Sequence, residues 1–157
     1  MTRVGLGFDA HAFDPDRPLV LGGVTIPAEA GLAGHSDADV LSHAVADAVL
    51  GAALLGDLGS AFPDDARWRD ASSLDILAET AGAAGDEGWR VEGVDATVVA
   101  QAPRLAPWRE EMALNIAGAL QVDSRKVSVK ATTTDGMGFT GRGEGIAAIA
   151  VVLVEPT

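Results

Sequence analysis

Two histidines and one carboxylate form the clearest chemical pattern in the sequence. Asp9 and His11 are two residues apart at the end of a predicted strand, residues 3–9. On an extended chain, such side chains point to the same side and lie about 6.6 Å apart along it. With His43 further along the chain, they make a ligand set suited to zinc with an open fourth position, or to non-haem iron. Histidines also serve as satisfied core or capping residues, so the residues alone leave both roles open.

His43 falls in a segment that predicts a buried helix, about residues 37–55, which is apolar on nearly all sides. Ser36 is its predicted N-cap, and Asp39 stands at the capping-box position. Asp39, His43 and Asp47 are spaced at i, i+4 and i+8, so they form one polar stripe on the helix. Because buried charge is costly unless it is paired or metal-bound, the stripe is a candidate site. The two aspartates are either partners of a ligand histidine or simple helix polarity.

The elements that must position these residues alternate along the chain. Apolar patterning predicts strands at residues 3–9, 19–27 (interrupted by a Gly-Gly turn or bulge), 94–100, 127–132 and 146–154, and further helices at about 72–87 and from Pro107. The last strand is predicted to be fully buried, because its apolar run is continuous. Residues 1–157 are therefore predicted to form a single α+β domain, with a mixed β-sheet and helices mainly on one face.

Composition narrows the possible functions. The chain has 157 residues, a formal net charge of −12 and no cysteine, which excludes disulfides and thiolate metal sites. The negative charge argues against nucleic acid as a partner, and a small phosphorylated ligand would need metal ions, helix N-termini and a few local basic residues. The start of the chain lacks the apolar core of a secretory signal, and charged residues interrupt the long apolar helix. We therefore expect a cytoplasmic protein without a membrane span.

A glycine-rich segment, residues 136–141, formally matches the G-x-G-x-x-G pattern. More glycines and an apolar strand follow it instead of a helix, so a dinucleotide-binding fold is rejected. The segment could let the backbone approach an anion, with Arg142, Lys130 and residues 132–134 nearby. Taken alone, it is better interpreted as a β-hairpin connection. No nucleophile elbow, P-loop or Cys/His pair is present, so covalent acyl chemistry has no support.

Several stretches together resemble the 2-C-methyl-D-erythritol 2,4-cyclodiphosphate synthases of the non-mevalonate isoprenoid pathway. In chain order, they are residues 3–11, 35–40 with His43, 56–59, 62–64, 100–103, 130–134 and 138–145. The similarity covers nearly the whole chain, and several of the blocks are specific to that family.

The resemblance implies a homotrimer whose active sites lie between neighbouring subunits. Such an enzyme, a phosphorus–oxygen lyase, converts 4-diphosphocytidyl-2-C-methyl-D-erythritol 2-phosphate into the cyclic diphosphate and releases CMP. By the same resemblance, Asp9, His11 and His43 would hold Zn²⁺, and Asp135 would hold a second divalent ion, Mg²⁺ or Mn²⁺.

The resemblance also implies roles around the substrate. His35 and Thr133 would help to stabilise the transition state. The expected substrate-contacting residues are Asp9, His11, His35, Ser36, Asp57, Gly59, Phe62, Asp64, Ala100, Pro103, Leu105, Ala106, Thr132, Thr133, Asp135, Phe139 and Arg142, the last two lying near the trimer axis.

The chain departs from the family pattern at two positions. Asp135 stands where glutamate is usual, which shortens the side chain and bears on the preference for Mg²⁺ or Mn²⁺. Ala38 stands where glycine is common, and in a first helical turn alanine should be tolerated. Two other functions fit the residues without the resemblance: a two-histidine, one-carboxylate iron enzyme, and a non-catalytic trimeric module that binds metal or a cytidine nucleotide.

Overall fold

The computed structural model describes residues 1–157 and contains one five-stranded mixed sheet. In the order β4-β1-β7-β5-β6, its strands are β1 (Arg3–Asp14), β4 (Gly31–Leu32), β5 (Trp89–Val99), β6 (Val127–Thr132) and β7 (Gly145–Pro156). Only β5 and β6 are parallel. A separate antiparallel pair consists of β2 (Leu19–Leu21) and β3 (Val24–Ile26).

Three longer helices and two single-turn helices complete the fold. They are α1 (Val40–Ala53), α2 (Leu58–Ala61), α3 (Ser73–Asp86), α4 (Arg109–Leu120) and α5 (Gly138–Gly141). The first packs on β1 and β7, while α4 packs on β6 and α3 lies against both other long helices. The predicted α+β domain, with a mixed sheet and helices mainly on one face, is confirmed. No helix combines the length and apolar character needed to cross a membrane.

Two glycines of β1 bring α1 into direct contact with the sheet. A Cβ atom on Gly5 would lie 1.9 Å from the carbonyl oxygen of Ala48, and one on Gly7 would lie 1.9 Å from that of Ala44. Both distances are far inside van der Waals contact, so only glycine fits at either position. The helix backbone therefore rests on the strand backbone, with buried alanines at the contact.

The helix begins later than the sequence predicted, and its cap is Asp39. The Asp39 carboxylate accepts hydrogen bonds from the N–H groups of Ser42, Gly22 and Gly23 at 3.0, 2.9 and 2.8 Å, and from Ser42 Oγ at 2.7 Å. The predicted N-cap, Ser36, is wrong, because residues 36–38 form a turn ahead of the helix. Asp39 thus fixes the start of α1 to the β2–β3 turn.

Ala38 also lies outside the helix, contrary to the prediction. It is buried and adopts φ = 58°, in the left-handed region where an L side chain is disfavoured and glycine is at ease. The left-handed backbone conformation at this position therefore explains why glycine would be favoured here. Alanine carries a conformational cost here, where a helical turn would have favoured it.

The last strand is not fully buried in this chain, so that prediction is wrong. Along β7 the residues alternate, and Ile149, Val151 and Leu153 are 40%, 42% and 36% exposed. They pair with residues of β1, so that a continuous strip, which we call the outer apolar face, consists of Val4, Leu6, Phe8, Ile149, Val151 and Leu153. A continuous run of apolar residues in the sequence predicts a strand with two apolar faces. It does not predict which part of the protein covers each face.

The glycine-rich segment is not a hairpin connection. Strand β5 lies between β6 and β7 in the sheet, so the segment crosses from one strand to another that is not its neighbour. Within it, residues 138–141 form the single-turn helix α5. The interpretation as a β-hairpin is therefore wrong.

We expect Gly7→Ala to lower the free energy of unfolding by about 3 kcal/mol or more, because neither backbone can yield to the new methyl group. Gly51→Ala is the matched control on the same helix, where an added Cβ meets nothing within 4 Å. It should raise stability by about 0.5–1 kcal/mol, the helix preference of alanine over glycine. Urea unfolding at one protein concentration measures both, and equal effects would contradict the close contact.

Candidate metal centre and active site

Asp9, His11 and His43 converge as the sequence predicted. Asp9 Oδ2 lies 2.8 Å from His11 Nε2 and 3.1 Å from His43 Nδ1, and the two ring nitrogens are 3.2 Å apart. Around zinc with bonds of about 2.0–2.1 Å, tetrahedral ligands are separated by about 3.3 Å. The donor set and spacing therefore fit a divalent metal ion with one or more open positions. No other group of three or more histidine, aspartate or glutamate side chains comes so close.

The cluster exists because a strand and a helix meet backbone to backbone. Odd-numbered residues of β1 face α1, which places Asp9 and His11 on the same side as Gly7. On the helix, His43 directly precedes Ala44, whose carbonyl oxygen contacts Gly7. The prediction that Asp9 and His11 share a side is confirmed.

Asp9 and His11 shift each other's pKa in opposite directions, and the ionised carboxylate favours a cation. Partial burial acts to raise the pKa of Asp9, but the hydrogen bonds and charges of His11 and His43 outweigh it and lower the pKa to about 2. Burial acts to lower the pKa of His11, but its hydrogen bond to Asp9 and the carboxylate charge raise it above its ordinary value. At neutral pH the carboxylate is therefore fully charged.

Of the predicted polar stripe on α1, only part belongs to the site. Asp47 lines the same cleft as His43, and its Oδ1 accepts a hydrogen bond from the Leu58 N–H at 3.0 Å. The Asp39 carboxylate turns away to the β2–β3 turn, and neither aspartate carboxylate bonds the His43 ring. The side chains that contact its Nε2 are Ser73, whose Oγ lies 2.8 Å away, and Ser36, whose Oγ lies 3.1 Å away. Sequence reasoning missed Ser73.

A cleft of about 290 Å³ opens from the cluster. The predicted site residues that it brings together are Asp9, His11, His35, Ser36, His43, Gly59, Phe62 and Asp64. Asp57 lies beside them as the N-cap of α2, and hydrogen bonds from Ser60 lower its pKa.

One wall of this cleft is built around a pair of packed aromatic rings. Phe62 packs edge-to-face on the buried Trp68, with ring centroids 4.8 Å apart, and the Arg67 guanidinium stacks over Trp68 at 4.4 Å. His35 Nε2 hydrogen-bonds to the Asp65 carbonyl oxygen, which ties the ring to this wall. A tryptophan amid acidic turn residues was the available signal for this packing.

A second hollow, of about 270 Å³, collects another predicted group: Ala100, Pro103, Leu105, Ala106, Thr132 and Thr133. Asp135 lies two residues after Thr133, in the left-handed region at φ = 53°. Its N–H donates to Thr133 Oγ1 at 3.2 Å, and Thr133 Oγ1 lies 3.4 Å from its carboxylate. Arg142 and Pro103 line a further hollow, where Arg142 Nε donates to Glu144 Oε2 at 2.7 Å. Phe139 is 41% exposed.

Within one chain, the two groups do not meet. Ala10 pairs with Ala147, Ala147 with Val99, and Val99 with Thr132. Thr132 therefore lies three strand spacings from β1, or about 14 Å. The metal cluster and the hollow around Thr132 are separate features of a single chain.

Fold and site together define an α+β protein with a candidate metal centre at the contact of one strand and one helix. The sequence model of the YgbB family matches residues 2–155. The chain belongs to this family.

Similar proteins carry one enzyme name. The chain is 59% identical over 154 residues to 2-C-methyl-D-erythritol 2,4-cyclodiphosphate synthase of Syntrophomonas wolfei, covering 98% of each chain. It is 57% identical over 156 residues to the synthase of Geobacillus kaustophilus, covering 99% of each. The resemblance drawn from sequence blocks is confirmed, and the chain is a member of an enzyme family of isoprenoid biosynthesis.

Solved structures agree with this assignment. The chain matches IspF of Plasmodium falciparum in its CDP complex with a TM-score of 0.86 at 30% identity, covering 99% of this chain and 97% of that one. It matches the bifunctional IspDF of Campylobacter jejuni with a TM-score of 0.96 at 41% identity, covering 100% of this chain and 43% of that one.

We expect the affinity for Zn²⁺ to fall as the pH drops through the raised pKa of His11. Below that pKa the His11 ring is protonated and a metal ion must displace the proton, so the affinity should change by about tenfold per pH unit. Above it the dependence on His11 should level off. Competition with a chromophoric chelator from about pH 5.5 to 8.5 measures this. A constant affinity across that range would contradict His11 as a ligand.

Proposed function

We propose that this protein converts 4-diphosphocytidyl-2-C-methyl-D-erythritol 2-phosphate into 2-C-methyl-D-erythritol 2,4-cyclodiphosphate and CMP. The observation that carries the proposal is the cluster of Asp9, His11 and His43, which opens into a cleft beside His35 in a chain of the YgbB family. The similar enzymes named for this product support the choice of substrate.

The reaction needs charge neutralisation more than it needs a base. An oxygen of the 2-phosphate attacks the β-phosphorus, and a new P–O bond closes the ring. The bond from the β-phosphorus to the bridging oxygen breaks, and CMP leaves with that oxygen on its α-phosphate. Because the attacking oxygen is already ionised, positioning and electrostatic stabilisation supply the catalysis.

Two bound cations would allow a protein of net charge −12 to bind a negatively charged substrate. Asp9, His11 and His43 would hold Zn²⁺, which when bound supplies a Lewis acid for phosphate oxygens. Asp135 would hold Mg²⁺ or Mn²⁺, since one carboxylate plus substrate phosphates is a common way to bind Mg²⁺. By recruiting cations with its own carboxylates, an acidic chain can bind a polyphosphate.

The chain's own side chains would position the substrate around these ions. His35, whose Nε2 hydrogen-bonds to the Asp65 carbonyl, would face the reacting phosphates from one side, and Thr133 from the other. The sugar hydroxyls would meet Asp57 and Gly59. Of the remaining predicted contacts, Ser36, Phe62 and Asp64 belong to the metal-side cleft, and Ala100, Pro103, Leu105, Ala106 and Thr132 would surround the cytidine. The similar structure of Plasmodium falciparum IspF, which is a CDP complex, supports a binding site for the cytidine nucleotide.

We propose further that the active site forms between copies in a homotrimer. Within one chain, neither the metal-side cleft nor the hollow around Thr132 collects all the predicted substrate contacts. The outer apolar face is the kind of exposed patch that another protein surface covers. With the metal cluster of one copy facing residues 132–135 of the next, both halves would serve one substrate. Phe139 and Arg142 would then lie near the axis.

We expect phosphorus NMR of the protein with the diphosphocytidyl substrate, Mg²⁺ and Zn²⁺ to show cyclic diphosphate and CMP in equal amounts.

The same measurement tests the metal ligands. His43→Ala should reduce the rate by about a thousandfold or more, because it removes one of three ligands for a catalytic cation. Nucleotide binding without product would favour a non-catalytic module. Bound iron with oxygen-dependent turnover would favour the iron-enzyme alternative.

We expect mixed oligomers of His43→Ala and Asp135→Ala chains to regain activity that neither variant has alone. If a site takes His43 from one copy and Asp135 from the next, random mixing restores about a quarter of the sites. The matched control mixes His43→Ala with His11→Ala, which damage the same half and should restore nothing. Mixtures no more active than the sum of their parts would contradict a shared site.

A further inference from the structure

The two ring nitrogens of His43 face opposite ways. Nδ1 faces the metal cluster, 3.1 Å from Asp9 Oδ2 and 3.2 Å from His11 Nε2. Nε2 faces the protein interior, 2.8 Å from Ser73 Oγ and 3.1 Å from Ser36 Oγ. A metal ion bound to Nδ1 requires that nitrogen to carry no proton. The one proton of the neutral ring must then sit on Nε2 and be donated to a serine hydroxyl.

Ser73 is arranged to accept that hydrogen bond. It is the fully buried first residue of α3, and its hydroxyl donates to Asp37 Oδ1. Its backbone N–H donates to Asp37 Oδ2 at 3.1 Å, so the carboxylate holds both groups of one residue. Because the only hydroxyl hydrogen of Ser73 is committed to Asp37, its oxygen faces His43 as an acceptor.

Ser36 offers a weaker alternative. Its Oγ is further from His43 Nε2, and it accepts a long hydrogen bond of 3.3 Å from the Ala38 N–H. No carboxylate contacts it. The chain of hydrogen bonds through Ser73 ends on a charge, and charge-assisted chains are stronger and more polarising than neutral ones.

We propose that Ser73 and Asp37 are positioning residues for the metal centre. They hold His43 in the Nε2–H tautomer, fix the plane of its ring and make Nδ1 a better donor to the metal ion. Metal-bound histidines usually donate their second N–H to a carboxylate, a carbonyl or water. Here a buried serine hydroxyl stands between the ring and the carboxylate. The inference rests on the proposed metal site and deepens it.

The test compares two adjacent serines. Ser73→Ala removes the acceptor, whereas Ser72→Ala removes an exposed hydroxyl that makes no side-chain cap hydrogen bond. Each full-length protein is stripped of metal and titrated with Co²⁺. We expect Ser73→Ala to bind Co²⁺ about 10- to 100-fold more weakly, the usual effect of losing such a partner. Ser72→Ala should match the unsubstituted protein, and Ser73→Thr, which restores a hydroxyl, should recover most of the affinity.

A second readout separates positioning from packing. In the Zn²⁺-loaded protein labelled with ¹⁵N, the Nε2–H proton of His43 should be visible, because a buried hydrogen bond slows its exchange with water. In folded Ser73→Ala that signal should be lost or shifted. A residue that merely fills space would leave the exchange of the Nε2–H proton with water unchanged.

The outcomes are distinct. If Ser73→Ala bound Co²⁺ as tightly as the unsubstituted protein and kept the Nε2–H signal, the positioning role would be overturned and the metal site would stand. If the unsubstituted protein bound no Co²⁺, the metal site and the proposed function would both fail. If Ser73→Ala did not fold, the Co²⁺ titration and the Nε2–H measurement would be made on Asp37→Asn instead. It removes the terminal charge, and an undiminished affinity there would overturn the role of Asp37.

Discussion

The site depends on the absence of two Cβ atoms. Because Gly5 and Gly7 have no side chain, the carbonyl oxygens of α1 sit where those side chains would be. Close packing of this kind transmits any displacement directly, since protein interiors have little free volume. His43 is next to Ala44 in the helix, and Asp9 is two residues after Gly7 in the strand. The 3.1 Å separation of His43 Nδ1 from Asp9 Oδ2 is therefore set by a backbone-to-backbone contact.

Sequence patterns predicted the parts of the site that depend on local periodicity. The side of the strand that Asp9 and His11 share follows from its two-residue repeat, and the buried helix that carries His43 follows from its apolar surface. The partners of His43 could not be found this way. Ser73 lies 30 residues from His43 and reaches it only because α3 packs beside α1. The cap at Asp39 was also missed, because the left-handed Ala38 delays the helix by a turn that no propensity signals.

The last strand shows a different limit of sequence reasoning. A continuous apolar run correctly indicates that both faces of β7 are apolar, but burial depends on what lies against each face. The inner face is covered by α1, whereas the outer apolar face is open in the single chain. Together with the separation of the metal cluster from residues 132–135, this open face favours a site assembled from more than one copy. Sequence periodicity carries no information about a partner of identical sequence, because the apolar pattern is the same whether the covering surface is internal or external.

The hydroxyl between His43 and Asp37 follows from where α1 lies. Nearly every position of this helix is buried and apolar, so no neighbour on the helix itself contacts His43 Nε2. The acceptor must come from another element, and the start of α3 supplies it. The Asp37 carboxylate does not bond the ring itself, and its two oxygens accept the Ser73 N–H and O–H. With serine in between, one carboxylate both anchors the first residue of α3 and completes the hydrogen-bond chain from His43. The orientation of His43 is thereby coupled to the packing of α3 on α1, so the contact between two helices helps to determine the geometry of the candidate metal centre.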